Sequence, residues 1–144
     1  MMTSARIEPL QELAEQREEQ AARELRAAQQ LLVQRKAQLE ELSRYRSDYE
    51  AGTEVAAPAL LRNRLAFLDR LRDAERYQQQ QVEAARRGVE QLRAKWAEQY
   101  RASATMTQLH ASYQRQERQQ ADRREQAKLD ELALRMHVKP DQLF

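Results

Sequence analysis

Any chemistry in this chain must come from two histidines, twenty-three carboxylates and twenty-five basic side chains, because cysteine is absent. His110 and His137 are too far apart to be helical neighbours, and neither has a third ligand type at metal spacing, so no metal is expected. The carboxylates have basic residues within a helical turn, which describes solvated ion pairs rather than a general acid and base held away from water. With two glycines in 144 residues there is no phosphate-cradling loop, nucleophile elbow or Ser-His-Asp grouping. The chain therefore reads as non-enzymatic and without cofactors.

Arg115, Arg118, Arg123 and Arg124 could follow a phosphate backbone, but Glu117, Asp122 and Glu125 interleave them. Net charge is only +2, so a nucleic-acid partner is not expected. The stripe Met106, Leu109, His110 and Tyr113 says more. These side chains recur at helical spacing in a polar region, where an uncovered apolar stripe marks a partner surface; the alternatives are a fold-back or a frayed helix.

The elements that carry these residues follow from composition. One third of the residues are charged, Ala, Leu, Glu, Arg and Gln dominate, and strand formers are scarce, so the fold class is all-α, with long helices. Turn chemistry is confined to Ala51-Gly52-Thr53-Glu54-Val55-Ala56-Ala57-Pro58. Pro9 is pre-organised for a first helical position, and Pro140 disfavours helical geometry at Lys139. These limits predict helix 1 over about 9–50, a turn over 51–57, helix 2 over about 58–136 and a short tail 137–144, as a single elongated coiled-coil hairpin.

Apolar residues stepping by three and four define a seam in each helix. Helix 1 offers Ala14, Ala21, Leu25, Ala28, Leu32, Leu39, Leu42 and Tyr49, interrupted by Arg35 and Arg46. Helix 2 offers Leu61, Leu68, Leu71, Val82, Ala85, Val89, Leu92 and Trp96, then Met106, His110 and Tyr113, interrupted by Glu75 and Gln78. In an antiparallel pair, facing residue numbers have a constant sum. A sum of about 110 puts Leu39 by Leu71, Ala14 by Trp96 and Arg35 by Glu75, and leaves Arg46 by Arg64 unexplained. On this register helix 2 extends well beyond helix 1, leaving about 37 of its residues, from near Gln99, without a partner in the chain.

Three segments carry a family resemblance: Leu39-Glu-Glu-Leu42-Ser-Arg-Tyr45-Arg-Ser-Asp-Tyr49, Asn63-Arg64-Leu65-Ala66-Phe67-Leu68, and Lys-Leu129-Asp130-Glu131-Leu132-Ala133. Their order and spacing across nearly the whole chain resemble the flagellar export protein FliJ family. The resemblance implies a non-enzymatic component of the flagellar type III export apparatus, shaped like the central stalk of rotary ATPases. Such a stalk enters the hexameric ring of the export ATPase, promotes its assembly and activity, contacts the membrane export gate and escorts export chaperones. Here the ring-contacting residues would be Met106, Leu109, His110, Tyr113, Leu129, Leu132 and Met136. Positions aligning with the family's gate-binding face are Leu71, Glu75, Gln78 and Val82, although Glu75 and Gln78 depart from its apolar pattern.

The resemblance further implies a cytoplasmic protein held peripherally at the inner membrane by the export apparatus, and a monomer when isolated. No apolar run reaches the roughly 20 residues of a spanning helix, so direct membrane insertion is not expected. A self-associating coiled-coil spacer and a virulence-type secretion stalk remain as alternative readings.

Overall fold

A computed structural model describes residues 3–52 and 57–142, with side chains up to residue 137. Residues 53–56 of the expected turn and 143–144 of the expected tail lie outside the described residues. The fold is an all-α antiparallel hairpin of α1 (Ser4–Ala51) and α2 (Pro58–Gln142), and α2 is the longer. It comprises two compact units, one formed by residues 1–17 and 99–144, the other by residues 18–98.

The burial pattern is a strict alternation of threes and fours. In α1 it runs through Ser4, Ile7, Gln11, Ala14, Glu18, Ala21, Leu25, Ala28 and onward to Tyr49. In α2 it runs through Leu68, Leu71, Glu75, Gln78, Val82, Ala85, Val89, Leu92 and Trp96, and again through Ser103, Met106, His110 and Tyr113. This is the 3.5-residue repeat of a left-handed coiled coil, which keeps one stripe of each helix against its partner. The core is correspondingly narrow. Ile7, Ala21, Leu68, Leu71, Val82 and Val89 are the buried apolar residues, while Leu25, Ala28, Leu39, Leu42, Leu92 and Trp96 lie half-buried on the same seam.

The register differs from the expected one by a single heptad. The numbers in the bonded pairs Gln11 with Thr107, Ser43 with Glu75 and Glu24 with Lys95 add to 118, 118 and 119, which fits seam residues adding to about 117 rather than about 110. A slip of seven residues returns every a and d position to the seam, so apolar periodicity could not separate the two registers. Polar contacts do. Arg35 is not the partner of Glu75; Ser43 and Arg46 both donate to that carboxylate. Trp96 lies level with Ala21 rather than Ala14, and its indole N–H donates to Glu18 at 3.2 Å. Leu61, expected on the seam, is exposed together with Leu60 and Leu65, because the start of α2 overhangs the end of α1.

Both ends of α1 are closed by side chains from α2. The Arg64 guanidinium donates to the carbonyl of Tyr49 at 2.7 Å and also to that of Gly52, satisfying acceptors that the end of α1 leaves free. Gly52 closes the last turn through its N–H on the Tyr49 carbonyl at 3.3 Å, and no described residue adopts positive φ. A Cβ at position 52 would lie 3.4 Å from both an Arg64 guanidinium nitrogen and the Tyr49 carbonyl oxygen, which is ordinary contact.

At the other end, α1 starts before Pro9, not at it. The Thr3 carbonyl accepts from the Arg6 and Ile7 amides, and Pro9 falls in the second turn. There its ring removes only the bond to the exposed Ala5 carbonyl, which water can satisfy. Helix α2 likewise continues to Gln142, past Pro140, because proline biases its predecessor away from helix without forbidding it.

Candidate docking surface at the end of helix α2

Glu117 is the last residue of α2 with a described bond to α1. Its two carboxylate oxygens accept from the Ser4 amide at 2.8 Å and the Ser4 hydroxyl at 2.6 Å. A negative group thereby sits against the positive, donor-rich start of α1. Both Ser4 bonds hold the Glu117 carboxyl below its ordinary range. Between this cap and Ala14, Ile7 has 0% exposure, and Gln11 donates to Thr107 at 3.3 Å.

The stretch expected to be unpartnered is therefore divided. Met106, His110 and Tyr113 are half-buried seam residues level with Gln11, Ile7 and Ser4, so they have an intramolecular partner. Leu109 lies at the rim, 38% exposed. A helix starting at Pro9 in a register one heptad shorter lacks the segment 4–8 that covers this stripe. Ile7, Gln11 and the Ser4 cap were missed for the same reason. Ile7 itself was the available signal, as the chain's one isoleucine, a heptad before Ala14.

Beyond Glu117 the character of α2 changes. Every side chain from Arg118 to His137 is exposed. The surface is mostly polar and of mixed charge, with local support such as Arg135 to Glu131 at 3.2 Å and Gln126 to Asp130 at 3.1 Å. Apolar residues return near the end: Leu129, Leu132, Leu134 and Met136 are 56%, 54%, 65% and 71% exposed. Continued at heptad spacing, the seam passes through Ala127, Glu131 and Leu134. At 100° per residue, Leu129 and Met136 fall about 170° from the centre of this seam and Leu132 about 130°. They form a stripe at i, i+3, i+7 turned away from the face α2 uses against α1.

The residues aligned with a gate-binding face lie on the seam of the other unit. Leu71 and Val82 are buried there. Glu75 is held low by Arg46 and then Ser43, while Arg46 is raised by Glu75 and also pairs with Glu50 at 3.0 Å. Gln78 has a buried amide oxygen with no hydrogen-bond partner in the structure. Polar residues thus occupy two successive seam layers, at Glu75 and Gln78.

Among the described residues there is no cluster of three or more metal-ligating side chains, and no helix is long and apolar enough to cross a membrane. No curated protein and no solved structure matches the chain. A family model described as flagellar FliJ protein matches residues 3–141. With that match spanning nearly all of a two-helix hairpin of the expected kind, the chain belongs to the flagellar FliJ family.

Proposed function

We propose that this protein is a non-enzymatic stalk of the flagellar type III export apparatus, and that the part of α2 beyond Glu117 enters the ring of the export ATPase and promotes its assembly and activity. Family membership carries the flagellar export role. The observation that supports the stalk reading is the extension itself, a helix exposed on every side that leaves the hairpin at a capped boundary and ends in an apolar stripe. Contacts made by such a mixed-charge helix are many and individually weak, which suits a shaft in a collar better than a rigid plug.

Leu129, Leu132 and Met136 are the principal ring contacts in this reading, with Leu109 at the rim. Met106, His110 and Tyr113 serve it indirectly, by seating the start of α1 where the extension leaves. Contact with the export gate is assigned to the level of Leu71, Glu75, Gln78 and Val82. That assignment rests on the family resemblance alone, since Leu71 and Val82 are buried on the seam. Escort of export chaperones and peripheral attachment at the inner membrane complete the reading, as the family role implies. Serine at Leu129, Leu132 and Met136 together is the test: it should abolish stimulation of the purified export ATPase while the hairpin keeps its helical content.

A further inference from the structure

The paired part of the unit formed by residues 1–17 and 99–144 carries a second heptad stripe beside its seam. On α1 it runs through Arg6, Leu10, Leu13 and Arg17, all of them exposed. Each stands one place before a seam position or two places after one. The matching positions on α2 are Ala102, Thr105, Leu109, Ser112 and Gln116. In an antiparallel pair these positions share one side of the seam, and the bond from Gln11 to Thr107 lies on the other. Leu10 is level with Leu109, Leu13 with Thr105, Arg6 with Ser112 and Arg17 with Ala102. Both stripes step by three and four, the spacing that lets a helix pack on a further helix, and within the chain nothing covers them.

Charge is sorted between the two sides. The carboxylates of α1 in this unit, Glu8, Glu12 and Glu15, all stand on the side of the Gln11 to Thr107 bond, and α2 has no carboxylate from Gln99 to Gln116. The stripe side has only basic residues, Arg6 and Arg17 within it and Arg101 and Arg115 one place from it. None of these four arginines is ion-paired among the described residues, whereas Arg46, Arg72 and Lys95 of the other unit are. Their placement is specific. Arg17 is level with Arg101, and Arg6 is within a turn of the level of Arg115, so the two basic ends are about 16 Å apart. Between them lie Leu10, Leu13 and Leu109, 42%, 42% and 38% exposed. A shallow groove along α2, lined by Thr105, Gln108, Leu109, Ala111, Ser112 and Arg115, borders this apolar centre.

We propose that this face docks an acidic amphipathic helix of a partner protein, which lies along α1 and α2 and completes a local three-helix coiled coil. Leu10, Leu13 and Leu109 meet the apolar row of the incoming helix, and the small side chains of Ala102, Thr105 and Ser112 let its backbone approach α2. The arginines at the two ends meet carboxylates about three turns apart on that helix and fix its position along the groove. Arginine at i and i+11 with leucine at i+4 and i+7 defines the complement, which is glutamate, leucine, leucine and glutamate at the same spacing. A nucleic acid would be tracked by basic residues along the whole stripe, whereas here its centre is leucine. The same face of a second copy would set arginine against arginine. Leu109 is shared with the rim of the proposed ring contact, but the rest of the face belongs to the paired helices, so the inference does not rest on the ring reading.

Fluorescence anisotropy tests this with the full chain and a labelled, alanine-rich helical peptide carrying glutamate, leucine, leucine and glutamate at i, i+4, i+7 and i+11. Binding should saturate, weaken as salt rises from about 50 to about 300 mM, and shift the amide resonances of residues 6–17 and 102–116. The same peptide with lysine in place of both glutamates should bind at least about tenfold more weakly. Leu13→Glu, at an exposed position, should remove binding with unchanged helicity, and Arg6→Glu with Arg17→Glu should reverse the preference toward the lysine peptide. Glu12→Gln, on the other side of the seam, should change neither. Absence of saturable binding, equal binding of the two peptides, indifference to Leu13→Glu, or amide shifts centred on Glu8, Glu12 and Glu15 would each overturn the proposal. Tighter binding of a single-stranded oligonucleotide than of the acidic peptide, or self-association of the chain that Leu13→Glu abolishes, would overturn it in favour of those occupants.

Discussion

Replacing Ile7 by alanine separates the observed hairpin from one whose first helix starts at Pro9. Ile7 has no exposed surface, and it lies level with His110, one turn from the Ser4–Glu117 cap. Truncation removes three carbons. At about 0.8 kcal/mol each the transfer loss is about 2.4 kcal/mol, and an unfilled cavity adds to it, within the range of about 2–5 kcal/mol for such substitutions. The site is near the end of a two-helix pair that can partly collapse, so the value should fall at the low end.

Loss should be read locally, because paired helix ends open without global unfolding. Native-state amide exchange within residues 7–16 and 103–113 should accelerate about fifty-fold, the equivalent of 2.4 kcal/mol at a tenfold change per 1.4 kcal/mol. Amides within 25–45 should keep their rates. Leu60→Ala is the control, since that side chain is 59% exposed and its loss should change neither set. Unchanged exchange in Ile7→Ala would show that Ile7 is not packed on α2 and would refute the register through this unit.

Other expectations follow from the same geometry. Gly88→Ala should raise stability by about 0.8–1 kcal/mol in a urea melt at low protein concentration, since the new Cβ meets open space and glycine is the poorer helix former. Cysteines at Leu39 and Gln78, which face each other, should crosslink within one chain. The pair Leu39 and Leu71, displaced by about 10 Å along the helix, should not. Ser4 holds the Glu117 carboxyl low, so its stabilisation is complete above the ordinary carboxylate value near about 4.3 and is lost as pH falls through the lowered folded value. Carboxyl and amide NMR shifts of Glu117 and Ser4 should follow this titration together, and Glu117→Gln should remove it while Glu75, held by Arg46, still titrates low.

Periodicity made the faces legible but not their alignment. Leu25, Leu39, Leu68, Val89 and Trp96 could be placed on the seam from spacing alone, since only one stripe repeats every 3.5 residues. Alignment depends on which heptad meets which, and this was decided by contacts between residues far apart in sequence: Ser43 and Arg46 on Glu75, Arg64 on the end of α1, and Glu117 on Ser4. Nothing local marks such pairs. Pro9 misled because a strong local rule was applied to the second turn of a helix, where its cost is small. Spacing shows the apolar residues Leu129, Leu132 and Met136, which the structure leaves exposed, but it does not show that Met106, His110 and Tyr113 are half-buried against the start of α1.

The proposed action of the α2 extension on the export ATPase can be tested directly. The decisive measurement is ATP hydrolysis by that purified enzyme with the wild-type chain and with Leu129, Leu132 and Met136 all changed to serine. These side chains are exposed, and lie beyond the last described contact with α1, so circular dichroism should show an unchanged helical hairpin. The variant should then leave hydrolysis at the rate of the enzyme alone, at chain concentrations where the wild type stimulates fully. Stimulation by the variant equal to that of the wild type would contradict the assignment and place the activating surface on the paired helices.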